Sequence, residues 1–223
     1  MTTKIEQLFS NGIIDIDNSF FSNHSIDVNA WALELQKCFF NENNSEIKEV
    51  NNDGIKIKTI NGDFLLENSP ETAKAYKAVF EEFSPLFKTG LFEIENKKIA
   101  YSSNLITKGG SFRHHFDRND FTVVIYLSDA PAFPLVMYPL VRPKNEVPIK
   151  SALMRFLWLK YVTLFKKKYV VYPEIGKIVC FLGNQNLHGV FANKKREYTD
   201  RISVQFAFNF TNKNVQAADY YGE

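Results

Sequence analysis

The sequence predicts a mainly β fold, with helices near the N-terminus packed on a β core. Five runs rich in β-branched and aromatic residues occur between residues 98 and 208, and their composition and length are those of strands. Gly, Asn, Asp and Pro separate the runs, as in sheets of short strands. The 21 Phe and 10 Tyr also favour strands and a large core. We therefore expect a sandwich or barrel core, and an α+β protein overall.

The N-terminal third is predicted to hold a strand and two helices. Residues 12–16 end in an alternation of apolar and acidic side chains that is typical of a strand. Asp27 stands where it can cap a helix over 28–40. Ser69 can cap a second helix, with proline in its first turn, that should run to about residue 83.

A β-hairpin is predicted between these two helices. Residues 55–60 alternate as a strand does, and the apolar residues of 63–66 suggest a second strand. Asn61 and Gly62 separate them. An Asn-Gly pair supplies the two positive φ angles of a type I′ turn, so the pair indicates a two-residue hairpin loop.

The strands of the predicted core come after residue 95. They are expected over 98–101, 121–127, 169–172, 177–182 and 201–208. The 223 residues suit a single domain. Within it we expect a helix and hairpin support region over 1–95 and a β core over 96–215, with an insert over 131–168.

Charge and composition argue against several classes of protein. A net charge of +2 gives no reason to expect a nucleic-acid partner. The N-terminus shows no apolar core of a secretory signal, and no run of about 18 apolar residues could span a bilayer. Cys38 and Cys180 both lie in apolar runs, so we expect buried, reduced thiols and a cytoplasmic location.

Three side chains form a pattern that suits a metal. His115 and Asp117 stand two residues apart, so an extended backbone places the imidazole and the carboxylate on one face. His188 follows a predicted strand after a short loop and can supply a third ligand. Two histidines and one carboxylate that leave coordination positions open form the facial triad of non-haem Fe(II) oxygenases.

Two residues of the last predicted strand suit a carboxylate ligand. Arg201 and Ser203 are separated by one residue and therefore share a face of the strand. A guanidinium beside a hydroxyl can bind a carboxylate through two charge-assisted hydrogen bonds and one neutral bond.

The region from about residue 100 to 210 resembles the Fe(II)/2-oxoglutarate dioxygenases, in their prolyl-hydroxylase-like branch. The matching parts are His115-x-Asp117, the glycine-lysine strand that starts at Gly176, His188-Gly189 and the R-x-S pair at Arg201. The resemblance implies a double-stranded β-helix, which is a jelly roll.

The resemblance also implies roles for single residues. His115, Asp117 and His188 would hold Fe(II), and Arg201 with Ser203 would bind the C5 carboxylate of 2-oxoglutarate. Tyr126 matches the place of a tyrosine whose hydroxyl binds the same carboxylate in oxygen-sensing prolyl hydroxylases. Fe(II), 2-oxoglutarate and O2 are thus the expected cofactor and cosubstrates, with ascorbate as a candidate stimulant.

The expected reaction is hydroxylation of an unactivated C–H bond in a small molecule, such as an amino acid or a natural-product intermediate. Leu105 stands where the family often has tyrosine, and the Gly-Gly-Glu-Thr run of collagen-type hydroxylases is absent. The presence of Asp117 separates the chain from the halogenases of the superfamily. A peptide hydroxylase, a cupin-type dioxygenase that does not use 2-oxoglutarate, and a non-catalytic binding module are the alternatives.

The insert over 131–168 is predicted to contain a helix after Pro148. The helix is apolar and basic, but Arg155 and Lys160 do not share a face of the helical wheel. We expect burial, a lid over the site or a dimer contact, with membrane or lipid contact through 149–168 as the alternative. As a lid, Phe156 and Trp158 would contact the substrate, and Arg113 and Asn119 are also expected on the substrate side.

Overall fold

The structure is a computed structural model. It describes residues 4–17, 19–41, 44–52, 54–88, 90–142 and 152–212. The strands are β1 (Ile13–Ile16), β2 (Lys48–Asn52), β3 (Ile55–Asn61), β4 (Phe92–Glu93), β5 (Tyr101–Ile106), β6 (Ser111–His115), β7 (Phe121–Tyr126), β8 (Leu135–Tyr138), β9 (Tyr169–Val171), β10 (Ile178–Phe181), β11 (Leu187–Val190) and β12 (Arg201–Asn209). The helices are α1 (Lys4–Asn11), α2 (Ser19–Asn23), α3 (Val28–Phe40), α4 (Gly62–Asn68), α5 (Pro70–Phe83), α6 (Lys97–Ala100) and α7 (Ala152–Phe165).

These strands form one curled antiparallel sheet. Their order is β1-β10-β7-β12-β5-β3-β6-β11-β8-β9, with β2 paired to β3 and β4 paired to β12. Strands β12 and β11 are far apart in this order, yet Arg201 and His188 line the same cavity. The sheet must therefore roll over so that its two ends face each other, as in a jelly roll.

Side-chain alternation along the central strands divides the core into two layers. On β7, Val123 and Ile125 join the cluster that packs under the helices. The alternate residues Val124 and Tyr126 join a second cluster inside the rolled sheet. Because both faces are covered, all six residues of β7 are buried. Buried strands with this pattern position the polar side chains of the inner face.

The outer face of the sheet is covered by the N-terminal helices. Asp27 caps α3 by accepting hydrogen bonds from two backbone amides, and Ser69 caps α5 by accepting from the Thr72 amide. The indole of Trp31 donates a 2.8 Å hydrogen bond to the Thr72 hydroxyl, which joins the two helices. Tyr76 of α5 stacks on the sheet with its ring centroid 5.0 Å from that of Phe208. The predicted jelly-roll core with N-terminal helices packed on it is confirmed.

The first 95 residues also contribute strands to the sheet. β1 lies at one end of the strand order and pairs with β10, while β3 is inserted between β5 and β6. The strand predicted over 12–16 and the helices predicted over 28–40 and 70–83 are present.

The predicted hairpin around Asn61 and Gly62 is wrong. Asn61 ends β3 and caps helix α4, because its side chain accepts a 3.3 Å hydrogen bond from the Phe64 amide. A Cβ on Gly62 would lie 1.9 Å from the Lys97 carbonyl oxygen, so glycine is needed for close packing and not for a turn. The real hairpin joins β2 to β3, with Gly54 at φ +79 in the connection.

Two further differences concern the start of the predicted core and the insert within it. Residues 98–100 belong to α6, because Asn96 accepts a hydrogen bond from the Lys98 amide and caps a single helical turn before β5. The insert predicted over 131–168 contains β8 as well as the predicted helix. Residues 143–151 of the insert lie outside the described part of the chain. Prolines flank β8 on both sides and obscure its strand signal.

Candidate metal centre

Three predicted ligands converge at the open end of the rolled sheet. His115 ends β6, and His188 lies directly opposite it on β11. Asp117 follows β6 and is held in place because its amide donates a 3.0 Å hydrogen bond to the Gly183 carbonyl. The possible ligand atoms of the three residues lie within 4.8 Å of one another, and both histidine Nε2 atoms are 3.4 Å from Asp117 Oδ1.

Backbone contacts orient both imidazole rings. His115 Nδ1 lies 3.0 Å from the Arg113 carbonyl oxygen, and His188 Nδ1 lies 2.9 Å from the carbonyl oxygen of Asn186. A carbonyl oxygen only accepts hydrogen bonds, so Nδ1 of each ring carries the proton. Each Nε2 therefore presents a lone pair to the space beside Asp117, which is the tautomer that a metal requires.

A hydrogen-bonded chain orients the Asp117 carboxylate. The Asn119 side-chain amide donates to the Thr122 hydroxyl at 2.7 Å, and that hydroxyl donates to Asp117 Oδ2 at 2.5 Å. Oδ1 is left facing the two histidines. Asn119 is thus buried behind the carboxylate, and the expectation that it faces the substrate side is wrong.

Local electrostatics keep the carboxylate ionised. Burial alone would raise the pKa of Asp117, but the adjacent imidazoles of His188 and His115 hold it well below its usual range. Burial, together with the neighbouring His188, lowers the pKa of His115. Burial also opposes protonation of His188, but the nearby carboxylate raises the net pKa of this ring. A cation bound to all three groups would replace the proton that His188 and Asp117 otherwise compete for.

Two glycines allow the close backbone approaches around the triad. A Cβ on Gly183 would lie 2.5 Å from the Thr122 hydroxyl and 2.8 Å from Asp117 Cβ. A Cβ on Gly189 would lie 2.8 Å from the Phe112 carbonyl oxygen, where β11 passes β6. A side chain at either position would displace the segments that carry the metal ligands.

A cavity extends from the triad into the rolled sheet. Its walls include His115, His188, Arg201, Asn104 and Gln205, together with apolar residues of β7, β8 and β10. Only one side of the triad reaches solvent, since the His188 side chain is 3% exposed and that of His115 is 28% exposed.

Polar groups without partners gather around Arg201. Nε of Arg201, the Ser203 hydroxyl and the Tyr126 hydroxyl are buried and have no hydrogen-bond partner within the described residues. Ser203 pairs with Tyr126 across β12 and β7, and the Arg201 guanidinium carbon lies 5.1 Å from the Tyr126 ring centroid. Buried polar groups are normally satisfied, so these three groups are available to bind a ligand.

The structure brings together the six residues that the sequence predicted for the metal and the cosubstrate, and it adds several that were missed. Gln205 lies on the same face of β12 as Arg201 and could have been found from the alternation. Asn104 donates a 3.3 Å hydrogen bond to Gln205 from the adjacent strand. Gly183 gives no local signal, because its role depends on contacts with a distant segment. Thr122 lies only five residues after Asp117, but this spacing alone does not show that the loop between them brings the two side chains together.

Comparisons with known proteins identify the fold by structure and not by sequence. No protein-family model matches the chain, and no curated protein does. Among solved structures, the non-haem α-ketoglutarate-dependent epimerase SnoN of nogalamycin biosynthesis matches with a TM-score of 0.65 at 12% identity, over 89% of this chain and 78% of that one.

Two further structures match over similar lengths. A prolyl hydroxylase from Trichoplax adhaerens, in complex with a fragment of hypoxia-inducible factor, gives a TM-score of 0.62 at 17% identity, over 92% of this chain and 86% of that one. HygX from Streptomyces hygroscopicus, with nickel, 2-oxoglutarate and hygromycin B bound, gives 0.61 at 16% identity, over 93% and 87%. The chain therefore has the double-stranded β-helix fold of the non-haem 2-oxoglutarate-dependent enzymes, in the form found in prolyl hydroxylases.

Proposed function

We propose that the chain is an oxygenase that uses Fe(II) and 2-oxoglutarate. The proposal is based on the cavity, whose two ends carry different chemical groups. At one end stand two imidazoles and a carboxylate with free ligand atoms. At the other stands the buried Arg201 guanidinium, whose Nε has no hydrogen-bond partner within the described residues. A dicarboxylate that bridges a metal and a guanidinium fits these two ends.

The donor set suits ferrous iron. Two neutral imidazoles and one carboxylate leave three positions open in an octahedral sphere, as non-haem oxygenases require. Nε2 of His188 is buried and has no hydrogen-bond partner within the described residues, as expected for an atom that binds a metal. When bound, iron and 2-oxoglutarate supply the oxidising chemistry, in which O2 converts 2-oxoglutarate to succinate and CO2 while a substrate C–H bond is oxidised.

The protein residues position the reactants and exclude water. Arg201 and Ser203 would hold the far carboxylate of 2-oxoglutarate, with the Tyr126 hydroxyl as a third donor. Burial strengthens these contacts, because Arg201 is 3% exposed and Ser203 is fully buried. Burial also lowers the pKa of Arg201, partly offset by Tyr126, and a bound carboxylate would compensate for this loss of solvation.

We further propose that the substrate is a small molecule. Only one side of the triad reaches solvent, and α7 packs beside it, where the Trp158 ring lies 5.7 Å from that of Phe116, the residue between His115 and Asp117. Arg142 also stacks on Phe116, at 5.3 Å. An enclosed site suits a small molecule better than an extended peptide. Hydroxylation is the expected outcome, and a peptide substrate is the alternative.

Succinate formation tests the proposed reaction. Protein purified without oxygen would be given Fe(II), 2-oxoglutarate, ascorbate and air, and succinate would be measured by mass spectrometry. We expect slow formation by the wild type even without the true substrate, and none by His115→Ala. His24→Ala is the matched control, because His24 lies beside Glu82 on the helical side of the protein and should leave the rate unchanged.

A negative result would separate the alternatives. Protein that binds Fe(II) but shows neither succinate nor the visible charge-transfer band of an iron–2-oxoglutarate chelate would contradict the proposal and favour a cupin-type enzyme. Protein that shows the band but no succinate would still bind the cosubstrate and would need its own substrate for turnover. Addition of free amino acids, natural-product mixtures and proline-containing peptides would then show which class accelerates succinate formation.

A further inference from the structure

Helix α7 has one packed face and one exposed apolar face. Trp158, Leu159 and Val162 pack against the small cluster that contains Tyr138 and Leu187, beside the candidate metal centre. The opposite face is exposed. Six of the 14 exposed large apolar side chains in the described residues belong to this helix. The expectation that the helix is buried therefore holds for only one of its faces.

The exposed apolar residues form a stripe along the helix. Leu157, Tyr161, Leu164 and Phe165 follow one another at intervals of four, three and one, which places them on one side of an α-helix. Leu164 is 71% exposed and Phe165 is 73% exposed. Monomeric soluble proteins rarely expose such a contiguous apolar surface unless it binds something.

Basic residues border the stripe. Lys160 lies one residue before Tyr161, and Lys166, Lys167 and Lys168 follow the end of the helix, all four exposed. The stretch over 147–173 contains six basic residues and no acidic residue, although the whole chain has a net charge of only +2. This stretch is thus strongly positive, and four of its basic residues lie beside the apolar stripe.

Lysine and aromatic side chains alternate in space at this surface. The Lys166 ammonium lies 5.9 Å from the Tyr161 ring centroid, and Lys160 lies 5.5 Å from that of Phe156. Aromatic rings that enter the acyl boundary while lysines reach lipid phosphates are typical of helices that lie in a membrane interface. No helix within the described ranges has the length and apolarity needed to cross a bilayer.

We propose that the exposed face of α7 docks the protein on an anionic phospholipid surface. The four apolar residues of the stripe would enter the boundary between headgroups and acyl chains, and the four lysines would contact lipid phosphates. Both contributions are needed, because a single short helix has little apolar area and a basic patch alone binds weakly. The proposal does not rest on the oxygenase reaction, since neither the stripe nor the lysines contribute to the metal centre.

Vesicle co-sedimentation of the full chain tests the proposal. Vesicles of phosphatidylcholine alone would be compared with vesicles of phosphatidylcholine and phosphatidylglycerol in equal parts. We expect the bound fraction to be several-fold larger with the anionic vesicles, and to fall at high salt because salt screens the lysines. An equal bound fraction on both vesicle types, or no binding to either, would overturn the proposal.

Two sets of variants separate the apolar and the charged contributions. The double variant Leu164→Glu/Phe165→Glu should lose binding, while Leu33→Glu should keep it, because Leu33 is a comparably exposed residue on the distant helix α3. The triple variant Lys166→Gln/Lys167→Gln/Lys168→Gln should lose the preference for anionic lipid. Lys194→Gln/Lys195→Gln is its control, as these lysines are exposed in a loop before β12.

Sedimentation velocity without lipid tests the alternative that the exposed face of α7 binds a second copy of this chain. We expect a monomer for the wild type and for every variant. A wild-type dimer that Leu164→Glu/Phe165→Glu converts to a monomer would overturn the membrane proposal and assign the face to self-association. Thermal unfolding controls for folding, and the substitutions should leave the melting temperature unchanged because the side chains are exposed.

Discussion

The hydroxyl of Thr122 donates a 2.5 Å hydrogen bond to Oδ2 of Asp117, and the other oxygen of that carboxylate lies 3.4 Å from Nε2 of both His115 and His188. The two oxygens therefore have different tasks. One is fixed by the protein, and the other is free to bind a cation. The Asn119 amide donates to the Thr122 hydroxyl and so fixes the direction of its proton.

Replacement of Thr122 should weaken metal binding without loss of a ligand. Thr122→Val keeps the shape of the side chain but removes the hydrogen bond, so the carboxylate can rotate away from the histidines. Loss of such a supporting contact typically reduces metal affinity about 10- to 100-fold. Calorimetric titration with Mn(II), which does not oxidise in air, would measure the change.

Thr122→Ser is the matched control, because it retains the hydroxyl and should restore most of the affinity. Equal Mn(II) affinity of Thr122→Val and the wild type would show that the hydrogen bond does not position Asp117.

Arg201 should determine affinity for 2-oxoglutarate and not for the metal. Arg201→Lys keeps the charge but replaces the planar fork with a single ammonium, so the paired hydrogen bonds to a carboxylate are lost. We expect the dissociation constant for 2-oxoglutarate to rise roughly tenfold or more, because each charge-assisted hydrogen bond contributes about 1.5–3 kcal/mol. Anaerobic titration of the charge-transfer band would measure it.

Arg196→Lys provides the comparison for Arg201, since Arg196 is exposed and stacks on Tyr172 away from the cavity. This variant should bind 2-oxoglutarate as the wild type does. A dissociation constant that Arg201→Lys leaves unchanged would place the far carboxylate elsewhere.

The predictable parts of this protein are those with a local signal in the sequence. The His115-x-Asp117 spacing, the Asp27 cap of α3 and the alternation of Arg201 and Ser203 each depend on residues that are close in the chain. Thr122 could not be identified in this way, because its contact with Asp117 depends on the path of the loop between β6 and β7. Gly183 is required because Thr122, Asp117 and the Asn119 carbonyl, all distant in the chain, pack against it.

Asn61 and Gly62 show how a local signal can mislead. Asn-Gly is a strong hairpin signal, but asparagine is equally suited to cap a helix, and glycine is equally suited to a close approach between segments. The sequence does not show the position of Lys97, whose carbonyl oxygen leaves no space for a Cβ at Gly62. Tertiary packing thus selected the helical alternative.

Trp158 should affect substrate binding, whereas its neighbour Phe156 should not. The sequence predicts that both residues belong to a lid. In the structure Trp158 packs against Phe116 beside the metal centre, whereas Phe156 is 55% exposed. Trp158→Ala should raise the KM of any compound that stimulates succinate formation and leave the dissociation constant for 2-oxoglutarate unchanged. Phe156→Ala is the control and should leave both constants unchanged. Equal KM values for the two variants would argue against contact between α7 and the substrate.

Gly62 should be among the least replaceable residues outside the metal centre. An alanine Cβ would lie 1.9 Å from the Lys97 carbonyl oxygen, and a backbone atom cannot move aside as a flexible side chain can. Gly62→Ala must therefore shift α4 relative to α6, and overpacking of this kind costs about 1–3 kcal/mol and occasionally more. Asn61→Ala removes the helix cap and an exposed 3.4 Å hydrogen bond to Glu46, and should cost about 1 kcal/mol. Urea denaturation would give both values, and the close approach predicts the larger loss of unfolding free energy for Gly62→Ala.

A smaller loss of unfolding free energy for Gly62→Ala than for Asn61→Ala would contradict this prediction. It would show that α4 and α6 can separate at little cost, and that the helix cap is the main function of this dipeptide.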